Sequence, residues 1–121
     1  MAEHNEIGKK GEEIAREYLI KQGYKIKYAN WRKYKYEIDL IATHQGFLVV
    51  IEVKSRTGDE HGDPRDAITS KKRKDLIEAT NLFIEDYKQD VEVRFDVVEV
   101  VFSTDNSHKI NLISDAFNAI G

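Results

Sequence analysis

Apolar side chains recur at helical spacing in two segments of the chain. The first segment has one apolar face, formed by Ile7, Gly11, Ile14, Ala15 and Tyr18. It predicts a helix that Asn5 caps and Gly23 ends. The second segment runs to about Tyr87, and its buried face is predicted at Leu76, Ile77, Thr80, Phe83, Ile84 and Tyr87. Asp63-Pro64, further upstream, has the pattern of a helix start, either of this helix or of a short separate turn.

Runs of apolar and β-branched residues predict five strands. One lies at about 24–31, two flank Gln45-Gly46, and the last two are "VEVRFDVVEVVF" and "HKINLI". The predicted order is therefore α-β-β-β-α-β-β. A chain of 121 residues without linker-like segments is expected to form a single domain over residues 1–121.

The hairpin around Gln45-Gly46 carries its charges at the end away from the turn. A two-residue turn fixes the register, which sets Asp39 opposite Glu52 and Glu37 opposite Lys54. Side chains alternate between the faces of a strand, so these four share a face. We expect Ile41, Leu48 and Val50 on that face, and Ile38, Leu40, Ala42, Val49, Ile51 and Val53 on the other.

Two carboxylates facing each other at the end of a covered sheet are costly, because both burial and like charge disfavour them. A divalent cation is the natural compensation, and Mg²⁺ commonly uses only one or two protein carboxylates. Asp39 and Glu52 are the predicted ligands. Lys54 is placed to act on a bound phosphate or to help activate or orient water, and Glu37 to position Lys54 or an outer-shell water.

Glu12 is a further candidate, in the first helix. It lies about 100° from Gly11 at the border of the apolar face, whereas Glu13 lies a further step round on the solvent side. Only Glu12 is therefore expected to reach the sheet.

Basic residues are concentrated in two places that suit phosphate. Lys71–Lys74 forms the first turn of the second helix, where Lys72 and Arg73 are the candidate contacts. The segment 21–35 has six basic residues and no acid, with Tyr and Trp interleaved. Lys33 in that segment and Arg56 after the hairpin complete the candidate nucleic-acid contacts. A solvated basic turn explains Lys71–Lys74 equally well, and an exposed strand with lysines on its polar side is the favoured interpretation of 21–35.

A structural ion-pair network is the alternative interpretation of the hairpin, with a Glu37–Lys54 salt bridge and Asp39 paired elsewhere. The apolar context, the facing acids and Glu12 favour a metal site over it. The histidines, at positions 4, 44, 61 and 108, have no ligand spacing, and all four are expected to be solvent-exposed.

Composition limits the class of protein. An apolar fraction of 40% and a charged fraction of 34% indicate a globular chain, and no apolar run is long enough to span a membrane. The absence of cysteine and of a signal-peptide pattern leads us to expect a cytoplasmic location. A net charge of −3 argues against a general nucleic-acid coat protein.

These residues and this order of elements resemble the PD-(D/E)XK, or restriction-endonuclease-like, nuclease superfamily, and within it the bacterial YraN-like family. The matching segments are "GKKGEEIAREYLIKQGYKI", "YEIDLIA", "LVVIEVKSR", "AITSKKRKDLIEA" and "RFDVV". The resemblance implies an α/β fold in which helices flank a central mixed sheet. It also implies Mg²⁺- or Mn²⁺-assisted hydrolysis of phosphodiesters, mostly in DNA; resolvase-like members act on branched DNA as homodimers.

The resemblance carries over residue by residue. Asp39 matches the first metal-binding acid, Glu52 the second, and Lys54 the catalytic lysine. Glu12 matches the helical glutamate of resolvase-like members, and Lys72 the basic residue that opens the second core helix. Two positions depart from the pattern: Ile38 replaces the signature proline, and Tyr36 replaces the usual glycine before Glu-Ile-Asp.

The sequence therefore predicts a metal-dependent nuclease without a membrane partner. A nucleic-acid-binding module that keeps the fold but does not cleave is the second hypothesis, and a structural or protein-interaction domain is the third.

Overall fold

Two helices and five strands follow one another in the predicted order in the computed structural model, which describes residues 2–58 and 68–118 and only the backbone of residues 2–5. Their bounds are α1 Ala2–Lys21, β1 Lys25–Lys33, β2 Tyr36–His44, β3 Phe47–Thr57, α2 Ser70–Tyr87, β4 Glu92–Phe102 and β5 His108–Phe117. The predicted order α-β-β-β-α-β-β is confirmed.

The five strands form one mixed sheet in the order β1-β2-β3-β4-β5. Strands β3 and β4 are parallel, and every other neighbouring pair is antiparallel. A parallel pair needs a long crossover connection, and α2 lies within the connection from β3 to β4. The mixed α/β sheet expected from the resemblance is therefore present, with β3 at its centre.

Each helix packs on one face of the sheet. Ala15 and Leu19 of α1 join the cluster that contains Val49 and Ile51, whereas α2 contacts the cluster that contains Leu48 and Val50. Consecutive residues of β3 thus point to opposite helices, which explains why this strand is apolar on both sides. Neither helix in the described part of the chain is long and apolar enough to cross a membrane.

One face assignment is wrong. Ile38 belongs to the α2 cluster together with Ile41, not to the α1 cluster of Leu40. In the regular pairing of β1 with β2, Ala29 pairs with Leu40 and Trp31 with Ile38, but Asn30 and Asp39 between them do not pair. Asn30 has a φ of 54°. The strand is distorted at Asp39, so the simple alternation of side chains does not continue from Leu40 to Ile38.

Several element ends differ from those predicted. Helix α1 begins at Ala2, so Asn5 is not its cap, while Gly23, with a φ of 93°, lies just after it as expected. The cap of α2 is Thr69, whose hydroxyl accepts from the Lys72 amide at 3.1 Å. Asp63-Pro64 lies outside the described residues. Strand β5 continues to Phe117, which stacks on Phe95 with 4.7 Å between ring centroids, so the end of this strand packs on the core.

A buried polar network lies near the turn of the β2–β3 hairpin. Arg94 donates to Asp96 at 2.8 and 2.9 Å and to the Tyr24 hydroxyl at 3.0 Å, and that hydroxyl donates to Asp96 at 2.6 Å. His44 stacks on Tyr24 and lies 2.8 Å from Arg94. The prediction that His44 is solvent-exposed is therefore wrong; His108 is exposed as predicted, and the side chains of His4 and His61 lie outside the described part.

Helix α1 crosses β3 in close contact at Gly11. A Cβ atom at this position would overlap the Ser55 hydroxyl and would lie 3.1 Å from Ser55 Cβ. The neighbouring Gly8 has no atom within 4 Å of the same hypothetical Cβ. The absence of a side chain at Gly11 therefore allows α1 to approach the sheet and brings Glu12 over its edge.

Gly11→Ala is expected to destabilise the protein although alanine is the better helix former. The added methyl group must displace α1 or Ser55, at a cost of about 1–3 kcal/mol, whereas the gain in helix propensity is about 1 kcal/mol. Gly8→Ala is the matched control and should be neutral or stabilising. Urea unfolding of both variants measures the difference, and equal stability would contradict the close crossing.

Candidate active site

Asp39 and Glu52 meet where the regular pairing of β2 with β3 stops. The ladder runs from His44–Phe47 to Leu40–Ile51, which confirms the predicted register over that length. Beyond it, the Val53 amide donates to Asp39 Oδ2 at 2.9 Å. The Asp39 carboxylate thus accepts a hydrogen bond from this amide at the point where the two strands separate. The side chain of Glu52 beside it is only 11% exposed.

The environment of Glu52 disfavours its charge. Burial, then hydrogen bonding with Asp39 and the negative charge of Asp39, raise the pKa of Glu52 from 4.5 to about 9. Lys72 lowers this pKa without offsetting the rise. In the absence of a further cation, the acid pair therefore holds a proton more strongly than two separate carboxyl groups would.

Lys72 reaches the acid pair from α2. Its Nζ lies 3.3 Å from Glu52 Oε2. Burial alone would lower the pKa of Lys72, but the surrounding carboxylates, Glu52 first among them, raise it. The basic residue that opens this helix thus neutralises part of the acid pair.

Glu12 approaches the same site from α1, on the other side of the sheet. It lines a cleft of about 310 Å³ together with Asp39, Lys54 and Ser55. Burial, followed by the charge of Asp39, raises the pKa of Glu12, and a hydrogen bond with Asn30 opposes the rise. Glu13 is exposed. Of the two adjacent glutamates, Glu12 is therefore the one that lies beside Asp39, as the helical spacing predicted.

The predicted role of Glu37 as a partner of Lys54 is wrong. Glu37 Oε2 lies 3.2 Å from Arg32 of β1, its direct neighbour in the sheet. The hairpin register placed Lys54 opposite Glu37, but the regular ladder ends before it reaches that pair. Lys54 is exposed and lines the cleft beside Asp39.

The donor set of the acid pair fits a hard divalent cation. Both groups present carboxylate oxygens, and their crowding already holds a proton on the pair where an ion could replace it. Over residues 2–58 and 68–118, no three His, Asp or Glu side chains converge as a ligand group. The arrangement thus offers two protein ligands, Asp39 and Glu52. Glu12 lies near Asp39 but does not form a three-ligand group with this pair.

The other predicted nucleic-acid contacts have partners within the protein. Arg73 lies over the Phe117 ring at 5.7 Å, Lys33 pairs with Asp86 at 2.8 Å, and Arg56 pairs with Glu99 at 2.9 Å. Their contact with nucleic acid stays a prediction.

Sequence reasoning did not single out Lys35 and Lys71, which are exposed and line a cleft with Lys72 and Glu37. Both belong to the basic segments described above, but their positions facing one cleft depend on the fold.

Asp39→Asn is expected to stabilise the metal-free protein at pH 8. The folded state raises the pKa of Glu52 above its unfolded value, so this group contributes stability that is complete below about pH 4.5 and is lost as the pH rises towards 9. Removing the Asp39 charge reduces that loss by about 1–2 kcal/mol, and asparagine keeps an oxygen for the Val53 amide. Chemical unfolding in EDTA at pH 5 and pH 8 measures the effect.

Asp90→Asn, at an exposed acid outside the site, is the matched control and should change the unfolding free energy little at either pH. Destabilisation by Asp39→Asn at pH 8 would contradict the repulsive pair and would favour the structural ion-pair interpretation.

Comparison with known proteins identifies relatives across most of the chain. The sequence model of the family described as "Uncharacterised protein family UPF0102" matches residues 11–100. A UPF0102 protein of Phocaeicola vulgatus is 46% identical over 101 residues, which cover 84% of each chain. UPF0102 proteins of Christiangramia forsetii and Flavobacterium johnsoniae are 44% and 42% identical, and each match covers 97% of this chain and 98% of the relative. The chain therefore belongs to the UPF0102 family.

Proposed function

We propose that the protein is a cytoplasmic, metal-dependent nuclease that hydrolyses phosphodiester bonds in nucleic acid, with DNA as the expected substrate and branched DNA among its candidate forms. The observation that carries the proposal is the Asp39–Glu52 pair. Burial and the neighbouring Asp39 raise the pKa of Glu52 to about 9, and Asp39 lines a cleft together with Lys54 and Glu12. A carboxyl group whose pKa is shifted this far by burial and a charged neighbour is a candidate for a functional site.

Asp39 and Glu52 would hold Mg²⁺ or Mn²⁺. Such an ion, when bound, supplies positive charge to a phosphate oxygen and increases the acidity of water. Lys54 would donate a hydrogen bond to a non-bridging oxygen of the scissile phosphate and stabilise the negative charge that develops there. Glu12 would accept a hydrogen bond from the attacking water and orient it. One P–O bond to the water oxygen forms and one P–O bond to the sugar breaks. The attacking water releases one proton to the solvent, and a solvent water supplies one proton to the leaving oxygen.

Lys72 links the acid pair to the bound strand in this proposal. Its ammonium group lies against Glu52 and, with a side chain 43% exposed, remains accessible to a phosphate. Arg73, Lys33 and Arg56 are the further proposed contacts to the backbone, which would require them to change partners. A homodimer, as in resolvase-like proteins, would present two such sites to a branched substrate.

A non-catalytic nucleic-acid-binding module is the second candidate function. The observation that favours it is the contact of Lys72 Nζ with Glu52 Oε2 at 3.3 Å, because this ammonium group already supplies a positive charge next to the acid pair. This hypothesis expects salt-dependent binding without a divalent ion.

The test is cleavage of labelled single-stranded, duplex, forked and four-way DNA, and of RNA, in Mg²⁺ or Mn²⁺ and in EDTA. We expect cleavage only with the metal, and a loss of at least about 100-fold in Glu52→Gln and Lys54→Ala. Lys109→Ala, at an exposed lysine of β5, is the control and should retain full activity.

Full activity of Lys54→Ala would show that the role assigned to this lysine is wrong. Binding to these substrates without cleavage, unchanged or tighter in Asp39→Asn and independent of the metal, would favour the non-catalytic module.

A further inference from the structure

The tip of the β1–β2 hairpin presents an aromatic ring to solvent. Lys33 and Tyr36 form the last pair of the two strands, so Tyr34 and Lys35 make the turn. Tyr34 is 82% exposed and is the most exposed large apolar residue in the described part of the chain. Lys33 Nζ lies 5.7 Å from the centre of its ring. Packing within the protein therefore does not account for this side chain.

The turn itself does not account for tyrosine either. Tyr34 has a φ of 55°, in the left-handed region that favours glycine or asparagine and disfavours a bulky side chain. A large ring at this position is unfavourable for the backbone and is left in water. A contact outside the folded chain is a physical reason for its presence.

A cleft of about 290 Å³ begins at the residue next to Tyr34 in the chain. Lys35, whose Nζ lies 5.4 Å from the centre of the Tyr36 ring, lines this cleft together with Lys71 and Lys72 of α2. The two acids in its walls are engaged, Glu37 with Arg32 at 3.2 Å and Asp75 with Lys71 at 3.7 Å. The Lys71–Asp75 contact is long and the Lys71 side chain is 88% exposed, so Lys71 can turn to another anion. The cleft continues to Lys72, which contacts Glu52 of the acid pair.

We propose that this surface binds an unpaired nucleic-acid strand, with a base stacked on Tyr34 and backbone phosphates held by Lys35 and Lys71. An exposed aromatic flanked by cations matches the chemistry of a nucleotide, since the ring stacks on the flat face of a base and the ammonium groups contact its phosphates. The strand then runs along the cleft towards Asp39 and Glu52, so this inference rests on the proposed function for its direction.

The ring selects unpaired over paired bases. Inside a duplex the flat face of each base is covered by its neighbours, so away from duplex ends Tyr34 has a base to stack on only in a single strand, a flap, a loop or a fork. The substrate class is therefore nucleic acid with unpaired nucleotides next to the bond that is cleaved. Stacking on an aromatic ring depends on neither the base sequence nor the sugar, so the class includes both DNA and RNA. The binding measurement below determines which of the two is preferred.

Tyr28, on the strand β1 that leads into this turn, provides a matched comparison. It is 45% exposed, and its ring packs edge-on against Phe83 of the core with 5.4 Å between centroids. Because Tyr28 packs on the core, replacing it removes an aromatic side chain from β1 and leaves the exposed ring of Tyr34 in place.

The experiment is binding of fluorescently labelled single-stranded DNA, single-stranded RNA and blunt duplex DNA in EDTA, where no metal-dependent cleavage occurs. Tyr34→Ala is expected to weaken single-strand binding about 10-fold, with less than about a two-fold effect on the duplex. Tyr34→Trp should retain binding, and Tyr28→Ala should bind as the wild type does. The tighter of the DNA and RNA complexes identifies the preferred sugar.

Tyr34→Gly separates stacking from folding. Glycine suits the backbone at this turn, so this variant should melt at or above the wild-type temperature while it loses the same 10-fold in single-strand binding. Wild-type affinity in Tyr34→Gly or Tyr34→Ala, or an equal loss for single strand and duplex, would overturn the stacking proposal.

The stacking proposal and the nuclease proposal fail differently. Cleavage in Mg²⁺ with unchanged single-strand binding in the Tyr34 variants removes the stacking contact and leaves the nuclease. Weakened single-strand binding in these variants, with no cleavage of any substrate, leaves the stacking surface on a protein that does not cleave.

Discussion

The unfavourable contact between the carboxyl groups of Asp39 and Glu52 organises the candidate site of this protein. Glu52 lies on β3, which has strands on both sides and helices on both faces, so its side chain has little access to water. Asp39 stands where β2 leaves the ladder and adds its charge. The two helices meet this pair from opposite sides: α2 contributes the cation Lys72, and α1 contributes a third acid, Glu12.

The polar network around Asp96, near the opposite end of the hairpin, shows how the same fold stabilises a buried carboxylate with hydrogen-bond donors. Asp96 is also buried, but both of its oxygens accept hydrogen bonds from Arg94, and Tyr24 and the Asp115 amide donate to it as well. Its charge is matched by donors, as buried charges normally are. At Glu52, burial and then the neighbouring Asp39 outweigh the single lysine. The imbalance is therefore local to the cleft and is not a general property of the sheet.

Turn geometry and the helical period predicted the parts of the site that depend only on spacing within one hairpin or one helix. The Gln45-Gly46 turn fixed the register that brings Asp39 to Glu52, and the helical period separated Glu12 from Glu13. Local rules failed where distant segments decide the outcome. The partners of His44 are Tyr24 and Arg94, which are far away in the chain, and the face of Ile38 depends on a distortion at Asp39 that a simple alternation does not contain. The contact of Lys72 with Glu52 likewise required the packing of α2 on the sheet.

Binding of a divalent ion between Asp39 and Glu52 is the central claim, and paramagnetic broadening of amide resonances by trace Mn²⁺ tests it most directly. The account predicts broadening centred on Asp39, on residues 52–54 and on Glu12, displaced by excess Mg²⁺ and lost in Asp39→Asn, whose fold is otherwise preserved. Broadening that is scattered over the surface acids, or that persists in Asp39→Asn, would contradict the claim.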